Sequence, residues 1–349
     1  MKRRLFILAC LMLICRIPQG FSQQKLERLF YYVDLESCFE SFKTHIKQIS
    51  IIAPVVYNVD EDGVVWGAPD PIMLNLAKEN NIPVMPLIHN PGFDQEMLHK
   101  LLVSDTARQR AVKSLMDECR RFGYVGIQFD FENLNMNDRD AFTQFYKETA
   151  AALHGGGFKL SVAVVHRPEE FPGPTKYFKW MHKNWRAGYD LKALADIGDF
   201  ISVMTYSQHT RRTPPGPSAG IPWVIKNIEY FLTQVPPEKL SLGIPVGSSH
   251  WYTEQDDEKY VANARSWSAG LSYSAAMTLA QRFNAKPTWL DDQKVAFTFF
   301  ENGGLFEYIF FENGQSFQHK LDLVNKYKLR GFSVWVIGSE DPAIWQFLK

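Results

Sequence analysis

The sequence is poor in cysteine and carries no excess of charge of either sign. Only four cysteines occur in 349 residues, and 38 Lys and Arg balance 38 Asp and Glu. A chain of this size does not depend on disulfide bonds for its stability, which is the strategy of small secreted domains. Proteins that bind nucleic acid normally show a clustered basic excess, so the neutral balance gives no indication of a nucleic-acid partner.

The chain also lacks the motifs of common metal and cofactor sites. It contains no HExxH, no CxxC and no pairing of His with Cys at zinc-ligand spacing. A P-loop, a GxSxG nucleophile motif and a dinucleotide-binding fingerprint are absent as well. We therefore expect a protein without a metal and without a cofactor.

No apolar run at the N-terminus is long enough to span a membrane. Residues 1–4 carry three positive charges, and the apolar run 5–15 is shorter than the roughly twenty residues that a transmembrane helix needs. Gly20 and Ser22 then fit positions −3 and −1 of a cleavage site. The pattern predicts a signal peptide, residues 1–22, on a secreted, periplasmic or cell-envelope protein with no membrane span in the mature chain.

Two alternatives to a cleaved signal remain, an uncleaved membrane anchor and a lipoprotein modified at Cys10. The apolar run is too short for the first, and the apolar stretch before Cys10 is too short for the second. Export would leave Cys38 and Cys119 as the only cysteines of the mature chain. Their pairing stays open, but structural or unreactive thiols are favoured.

Short apolar strands alternate with helical stretches along the chain. The predicted strands are 28–33, 49–56, 82–88, 125–131, 160–165, 200–206, 240–245 and 331–336, with helices such as 106–122, 138–154 and 223–234 between them. Eight β units with helical crossovers predict an α/β fold, the (β/α)8 TIM barrel. A doubly wound sheet is the alternative, but no GxGxxG opens a helix after the first strand.

The spacing of the predicted strands is interrupted once, between residues 248 and 329. This segment holds a helical stretch, 273–283, and two aromatic strands joined by a glycine turn, 295–300 and 305–311. We predict a small α+β insertion after the seventh strand, at about 252–317, within one catalytic domain over residues 23–349. Its aromatic hairpin is expected to form one wall of the cleft.

The fourth predicted strand carries two carboxylates near its end. Its residues alternate between an outward set and an inward set: Val125, Ile127, Phe129 and Phe131 against Gln128, Asp130 and Glu132. Inward carboxylates at the C-terminal end of a strand lie where barrel enzymes place catalytic groups. An ordinary strand with a solvated polar face is the alternative, but flanking helices should cover this strand on both sides.

The positions of the two carboxylates suggest different roles. Glu132, nearer the barrel mouth, could protonate a leaving group, and the charge of Asp130 would raise its pKa. Two steps along one strand separate them by about 6.6 Å. That arrangement is a poor match to carboxylates that flank a sugar from opposite faces, so Asp130 is better placed to assist than to activate water.

Four motifs in order resemble glycoside hydrolase family 18, the chitinase-like barrels. Gly-Ile-Gln-Phe-Asp-Phe-Glu at 126–132 resembles the fourth-strand motif of the family, whose final Glu is the acid, and Met-Thr-Tyr at 204–206 resembles its sixth-strand Met-x-Tyr. Residues 215–224 with 239–245 are similar to the stretch through strand seven, and 331–335 with 338–342 to the last strand and its exit. The branch of bacterial cortex-lytic N-acetylglucosaminidases is the most similar.

The resemblance implies a retaining glycosidase acting on β-linked N-acetylglucosamine glycans, either chitin oligosaccharides or peptidoglycan. In that mechanism the 2-acetamido oxygen of the substrate attacks the anomeric carbon while Glu132 protonates the departing oxygen. Asp130 would orient the acetamido N–H, Tyr206 would hydrogen-bond its carbonyl, and Trp335 would form the apolar floor under the sugar. The motif positions Gln128, Met204 and Ser207 are expected to contact the substrate. We expect a monomer.

The motifs depart from the family pattern at several positions. Val125 and Gln128 stand where the family has its first two motif acids, Ser207 stands where Asp commonly follows Met-x-Tyr, and the Ser-x-Gly-Gly of strand three is replaced by residues 86–90. A non-catalytic, lectin-like sugar-binding barrel and a conventional two-carboxylate glycosidase therefore remain alternatives. Further side chains that could line the cleft are His89, His166, His209, His250, Trp180, Trp185, Trp251 and Trp267.

Overall fold

The computed structural model describes residues 26–254 and 265–348. The predicted signal peptide, residues 1–22, lies outside this part of the chain. The strands are β1 Glu27–Tyr32, β2 Ile51–Val59, β3 Val65–Trp66, β4 Leu87–His89, β5 Gly126–Phe129, β6 Lys159–Val165, β7 Phe200–Met204, β8 Leu240–Pro245, β9 Ser248–Glu254, β10 Arg265–Leu271, β11 Thr288–Leu290, β12 Val295–Asn302, β13 Leu305–Phe311 and β14 Gly331–Trp335.

Helices follow most of the barrel strands. They are α1 Glu36–His45, α2 Pro71–Glu79, α3 Gln95–Val103, α4 Asp105–Phe122, α5 Arg139–Gly155, α6 Lys176–Met181, α7 Leu191–Ile197, α8 Ile221–Phe231, α9 Tyr273–Arg282 and α10 Gly314–Lys326. Within residues 26–254 and 265–348, none is both long and apolar enough to cross a membrane.

Eight parallel strands close into a barrel. Their order is β1-β14-β8-β7-β6-β5-β4-β2, and β1 also pairs with β2, which completes the ring. The predicted (β/α)8 barrel is confirmed. The third barrel strand is shorter than predicted because Pro83 and Pro86 supply no backbone N–H, although the Val84 and Pro86 carbonyls still accept hydrogen bonds from the chain of β5.

Apolar side chains form one layer outside the barrel wall and a smaller one inside it. Ile127, Phe129 and Phe131 belong to the outer layer as predicted, and Phe129 contacts Phe145 of α5 at a ring distance of 5.1 Å. The outward placement of Val125 was wrong. This residue precedes β5 on a bend, so the alternation of the strand does not extend to it, and its side chain packs against the inner cluster.

Helix α4 shows how the sequence sets the ends and the buried face of an element. Ser104 accepts a hydrogen bond from the Ala107 N–H at the start, and Gly123 ends the helix with a φ of 69°. Cys119 is on the buried face, and both it and Cys38 are free thiols in the core. Neither cysteine forms a disulfide, as the sequence favoured.

The insertion after β8 is a five-stranded antiparallel sheet with α9 against one face. Its strand order is β10-β9-β13-β12-β11, and Gly303 and Gly304 make the hairpin turn with positive φ angles of 59° and 84°. The predicted helix and hairpin are confirmed. β9 and β10 were not predicted, because their serines and glycines give a weak strand signal. The insertion sheet therefore begins at Ser248 rather than at about 252, and Phe317 belongs to the barrel helix α10.

A buried ion pair joins the exit of the insertion to the barrel. Lys320 Nζ of α10 lies 2.7 Å from Glu312 Oε2, and the two side chains are 1% and 4% exposed. Loss of one partner from such a pair leaves an uncompensated buried charge, which typically costs about 3–5 kcal/mol. Separation of the two side chains, and with them of the insertion exit from α10, is therefore costly.

Candidate active site

Asp130 and Glu132 lie at the mouth of the barrel, just beyond β5. The Asp130 N–H still donates to the Ile88 carbonyl of β4 at 2.9 Å, so this residue continues the alignment of the sheet. Glu132 lies outside the strand, which ends at Phe129. The position of Glu132 therefore depends on contacts other than the β ladder.

Asn90 supplies those contacts. The Glu132 N–H donates to Asn90 Oδ1 at 3.1 Å, and Asn90 Nδ2 donates back to the Glu132 carbonyl at 2.9 Å. Asn90 is fully buried, and the Tyr189 hydroxyl donates to the neighbouring Phe131 carbonyl at 2.6 Å. No role was predicted for Asn90 from the sequence. Its signal was a polar residue directly after the third strand, in the place of the family's Ser-x-Gly-Gly.

Two adjoining cavities of about 630 Å³ and 760 Å³ meet at Glu132. The side chains that line both are Glu132, Met204, Tyr206 and Ser207. Asp130, Tyr31 and Trp335 line only the first, which opens over the barrel mouth. Glu132 thus stands at the boundary between two compartments, each large enough for a sugar.

Aromatic rings form one side of the first cavity. The Trp335 ring lies 6.4 Å from the Tyr206 ring at an interplanar angle of 23°, and 5.6 Å from the ring of Tyr31. Trp335 is 37% exposed although it follows a run of buried residues in β14. An indole kept partly open to a cavity provides an apolar surface for the face of a sugar ring.

Gln128, expected to contact substrate, lies below the cavities and lines neither of them. It is fully buried, and its Nε2 donates to Ser161 Oγ at 3.0 Å and to Ser202 Oγ at 3.3 Å. Ser333 continues this network, with its Oγ 2.9 Å from Ser202 Oγ and 2.7 Å from Ser241 Oγ. An amide suits this position because it donates to hydroxyls without adding a third negative charge.

The surroundings of the two carboxylates raise both pKa values. Burial raises the pKa of Asp130, whose Oδ1 is buried and accepts no hydrogen bond from the described residues. Burial raises the pKa of Glu132 as well, and the charge of Asp130 raises it further. Burial also raises the pKa of Tyr206 far above its usual value, so its hydroxyl remains a donor. A Glu that keeps its proton near neutral pH can act as a general acid.

The histidines and tryptophans that could line the cleft separate into different environments. His89 lines the first cavity, and His166 and Trp185 line the second. His250 is in the insertion sheet and pairs with Glu307 at 2.6 Å, and Trp251 beside it is buried. The remaining candidates line neither cavity: His209, Trp180 and Trp267.

The insertion does form a wall of the first cavity, but not with its aromatic hairpin. The wall consists of Ser248 and Ser249 of β9 with Gly270 and Leu271 of β10. Phe299 and Phe306 of the hairpin are exposed and line neither cavity. β9 follows β8 directly, so β9 and its partner β10 are the insertion strands nearest the barrel mouth. The hairpin strands β13 and β12 lie on the other side of β9 in the sheet.

No group of three or more His, Cys, Asp or Glu side chains is arranged to hold a metal ion in the part of the chain that the structure describes.

Comparisons with known proteins agree with this geometry. Uncharacterized glycosylase YvbX of Bacillus subtilis is 23% identical over 316 residues, which are 89% of this chain and 87% of that protein. The cortical fragment-lytic enzyme of Bacillus subtilis is 27% identical over 301 residues, 84% of this chain and 65% of that enzyme. This chain therefore spans less than two thirds of that enzyme's length.

A solved chitinase structure from Chromobacterium violaceum ATCC 12472 superimposes with a TM-score of 0.80 at 25% identity, over 93% of this chain and 98% of that one. The family model for glycosyl hydrolases family 18 matches residues 47–340. Since this match covers most of the chain, the protein belongs to glycosyl hydrolase family 18 and is a glycosidase.

Proposed function

We propose that the protein is a retaining glycoside hydrolase that cleaves β-linked N-acetylglucosamine glycans by substrate-assisted catalysis. The observation that carries this proposal is the position of Glu132, whose raised pKa keeps it protonated where the two cavities meet. A glycosidic bond across this boundary would place its oxygen beside the acid. Asp130 is the only other carboxylate among the described residues lining the first cavity.

Among the described residues, no carboxylate faces Glu132 across the first cavity, which favours a nucleophile supplied by the substrate. The acetamido oxygen attacks C1, Glu132 gives its proton to the glycosidic oxygen, and the bond from C1 to that oxygen breaks. The product of this step is a cyclic oxazolinium ion. Water then attacks C1 and gives a proton to the Glu132 carboxylate, and the acetamido group re-forms with net retention.

The other residues of the first cavity suit this intermediate. The Asp130 carboxylate can accept the acetamido N–H, and the Tyr206 hydroxyl can donate to the acetamido oxygen. Trp335 offers its ring face to the sugar, while Met204 and Ser207 border both cavities. Groups held in place before the reaction lower the entropic cost of reaching the attacking geometry.

Replacement of Glu132 by Gln tests the acid. The amide has the same shape but cannot donate the proton, so hydrolysis of chitooligosaccharides should fall by roughly 10²–10⁴-fold or more. Binding measured by calorimetry should change little. Glu96→Gln on the exposed surface of α3 is the matched control and should retain full activity. Activity of Glu132→Gln within tenfold of the wild type would exclude this role, and binding by a wild type without turnover would support the lectin-like alternative.

Removal of the acetamido group tests the nucleophile. A substrate with glucose or unacetylated glucosamine in the first cavity lacks the attacking oxygen, so nearly all activity should be lost, since intramolecular attack provides a large effective concentration. A thiazoline mimic of the oxazolinium ion should inhibit more strongly than the product sugar. A two-carboxylate enzyme would contradict the proposal by hydrolysing the glucoside and by forming a glycosyl ester with a fluorinated substrate.

The pH dependence of kcat/KM tests the interaction of the two carboxylates. Glu132 acts in its protonated form, so activity should fall as the pH rises through its raised pKa. Asp130→Asn removes a like charge, which lowers the pKa of Glu132 and should move the alkaline limb of the residual activity to lower pH. Burial, the larger cause, persists, so the limb should stay above the usual range of Glu. Asp196→Asn on the surface of α7 should not move it; a limb unmoved by Asp130→Asn would contradict the coupling.

We also propose that the enzyme is exported and acts as a monomer in the periplasm, cell envelope or medium. The charged N-terminus, the short apolar run and the small residues at 20 and 22 support export. The N-terminal sequence of the exported protein should begin at Gln23. Recovery of full-length protein from the cytoplasm alone would contradict this proposal.

A further inference from the structure

We infer that the second cavity is the subsite for the leaving-group sugar and that it recognises a carboxylate carried by that sugar. The inference rests on the proposed function, because it assigns the two sides of Glu132 to the two sides of the bond that is cleaved. Asp130 and Trp335 line only the first cavity, so the acetamido sugar belongs there. The departing sugar then occupies the second.

The two cavities differ in charge. Arg186, Arg211 and Arg212 line the second cavity, whereas none of the described lysines and arginines lines the first. The acids among the described residues that line the second cavity are Glu169 and the boundary residue Glu132. With Glu132 protonated, the described lining carries three positive charges and one negative charge.

The three arginines have no carboxylate partners among the described residues. By contrast Arg167, in the same region, pairs with Glu170 at 3.0 Å. Like charges gathered around one cavity repel one another. A bound anion would relieve that repulsion, whereas a neutral sugar would not.

Each guanidinium is held by a neighbour that does not neutralise it. Arg211 lies over the Trp267 ring of β10 at 4.7 Å, and Arg212 lies over the Trp180 ring of α6 at 5.7 Å. A guanidinium stacked through its face keeps its N–H edge for an acceptor. The loop after β7 thus carries one arginine toward the insertion and one toward α6.

Arg186 is held by a histidine that lines the same cavity. Its NH2 group lies 3.0 Å from His166 Nε2. Burial and the charge of Arg186 lower the pKa of His166 to about 3, so the imidazole is neutral and accepts this hydrogen bond. The charge of Arg186 is therefore retained.

The rim of the second cavity is suited to a sugar rather than to a free anion. Tyr177 and Phe178 line it, and the Tyr177 ring stacks with that of Trp180 at 6.4 Å. Aromatic faces bind the apolar faces of sugar rings, and arginines bind carboxylates in two-pronged geometry. The combination fits an acidic amino sugar, such as one with a lactyl ether, better than a neutral chitin unit.

A pair of matched substrates tests the inference. Each has N-acetylglucosamine linked to a sugar that bears a lactyl ether, as the free carboxylate in one and as the carboxamide in the other. Hydrogen bonds to a charged group are stronger than those to a neutral amide. The wild type's kcat/KM should therefore be roughly tenfold to a hundredfold higher for the carboxylate than for the carboxamide. The triple variant Arg186→Gln, Arg211→Gln and Arg212→Gln should lose this preference, and the exposed control Arg120→Gln should keep it.

Equal kcat/KM values of the wild type for the two substrates would overturn the inference, as would a preference that survives in the triple variant. A third substrate, in which a peptide extends the lactyl group, moves the carboxylate away from the sugar. A preference for it would overturn the assignment of the charge to the sugar itself. The thermal unfolding of the triple variant is measured alongside to show that it is folded.

The proposed function fails by a different result. If the wild type hydrolyses neither these substrates nor chitooligosaccharides, the proposed cleavage of N-acetylglucosamine glycans is wrong. The affinities of the carboxylate and carboxamide compounds, measured by calorimetry on the wild type and the triple variant, then decide the inference alone. A carboxylate preference that depends on the arginines would support it, and equal affinities would overturn it.

Discussion

Two carboxylates held side by side in the mouth of an apolar barrel are the constraint on which the rest of the site depends. Water solvates such charges poorly there, so the protein must either hydrogen-bond them or keep them protonated. The raised pKa of Glu132 shows the second solution. The proton that burial retains on Glu132 is the one that the proposed reaction transfers.

The remainder of the barrel mouth keeps this pair in place. Below it, Gln128 and the serines form a buried network without a further charge. Beside it, Asn90 replaces the missing β ladder at Glu132 with two hydrogen bonds to its backbone. Since these contacts are to the main chain of Glu132, the carboxyl group is free to act at the boundary between the two cavities.

Glu132 also stands between two cavities whose linings differ in chemistry. The first cavity is apolar and aromatic around Asp130, as the proposed acetamido substrate would require, and the insertion closes one side of it with β9 and β10. The second collects the arginines of the loop after β7 and of the segment after α6. The proposed reaction takes place in the first cavity, and the proposed recognition of the leaving-group sugar takes place in the second.

The sequence alone determined the eight barrel strands, the insertion helix and hairpin, and the motif residues Asp130, Glu132 and Tyr206. These features can be predicted because strand alternation and local motifs depend on residues that are neighbours in the chain. Only the tertiary structure decided which distant side chains meet. Asn90 lies 42 positions from Glu132, and Arg186 lies apart from Arg211 and Arg212 in the chain. Alternation also stops where a strand ends, so Val125 faced the opposite way to the prediction. Contacts beyond strand ends depend on how the loops close over the barrel, which local periodicity does not encode.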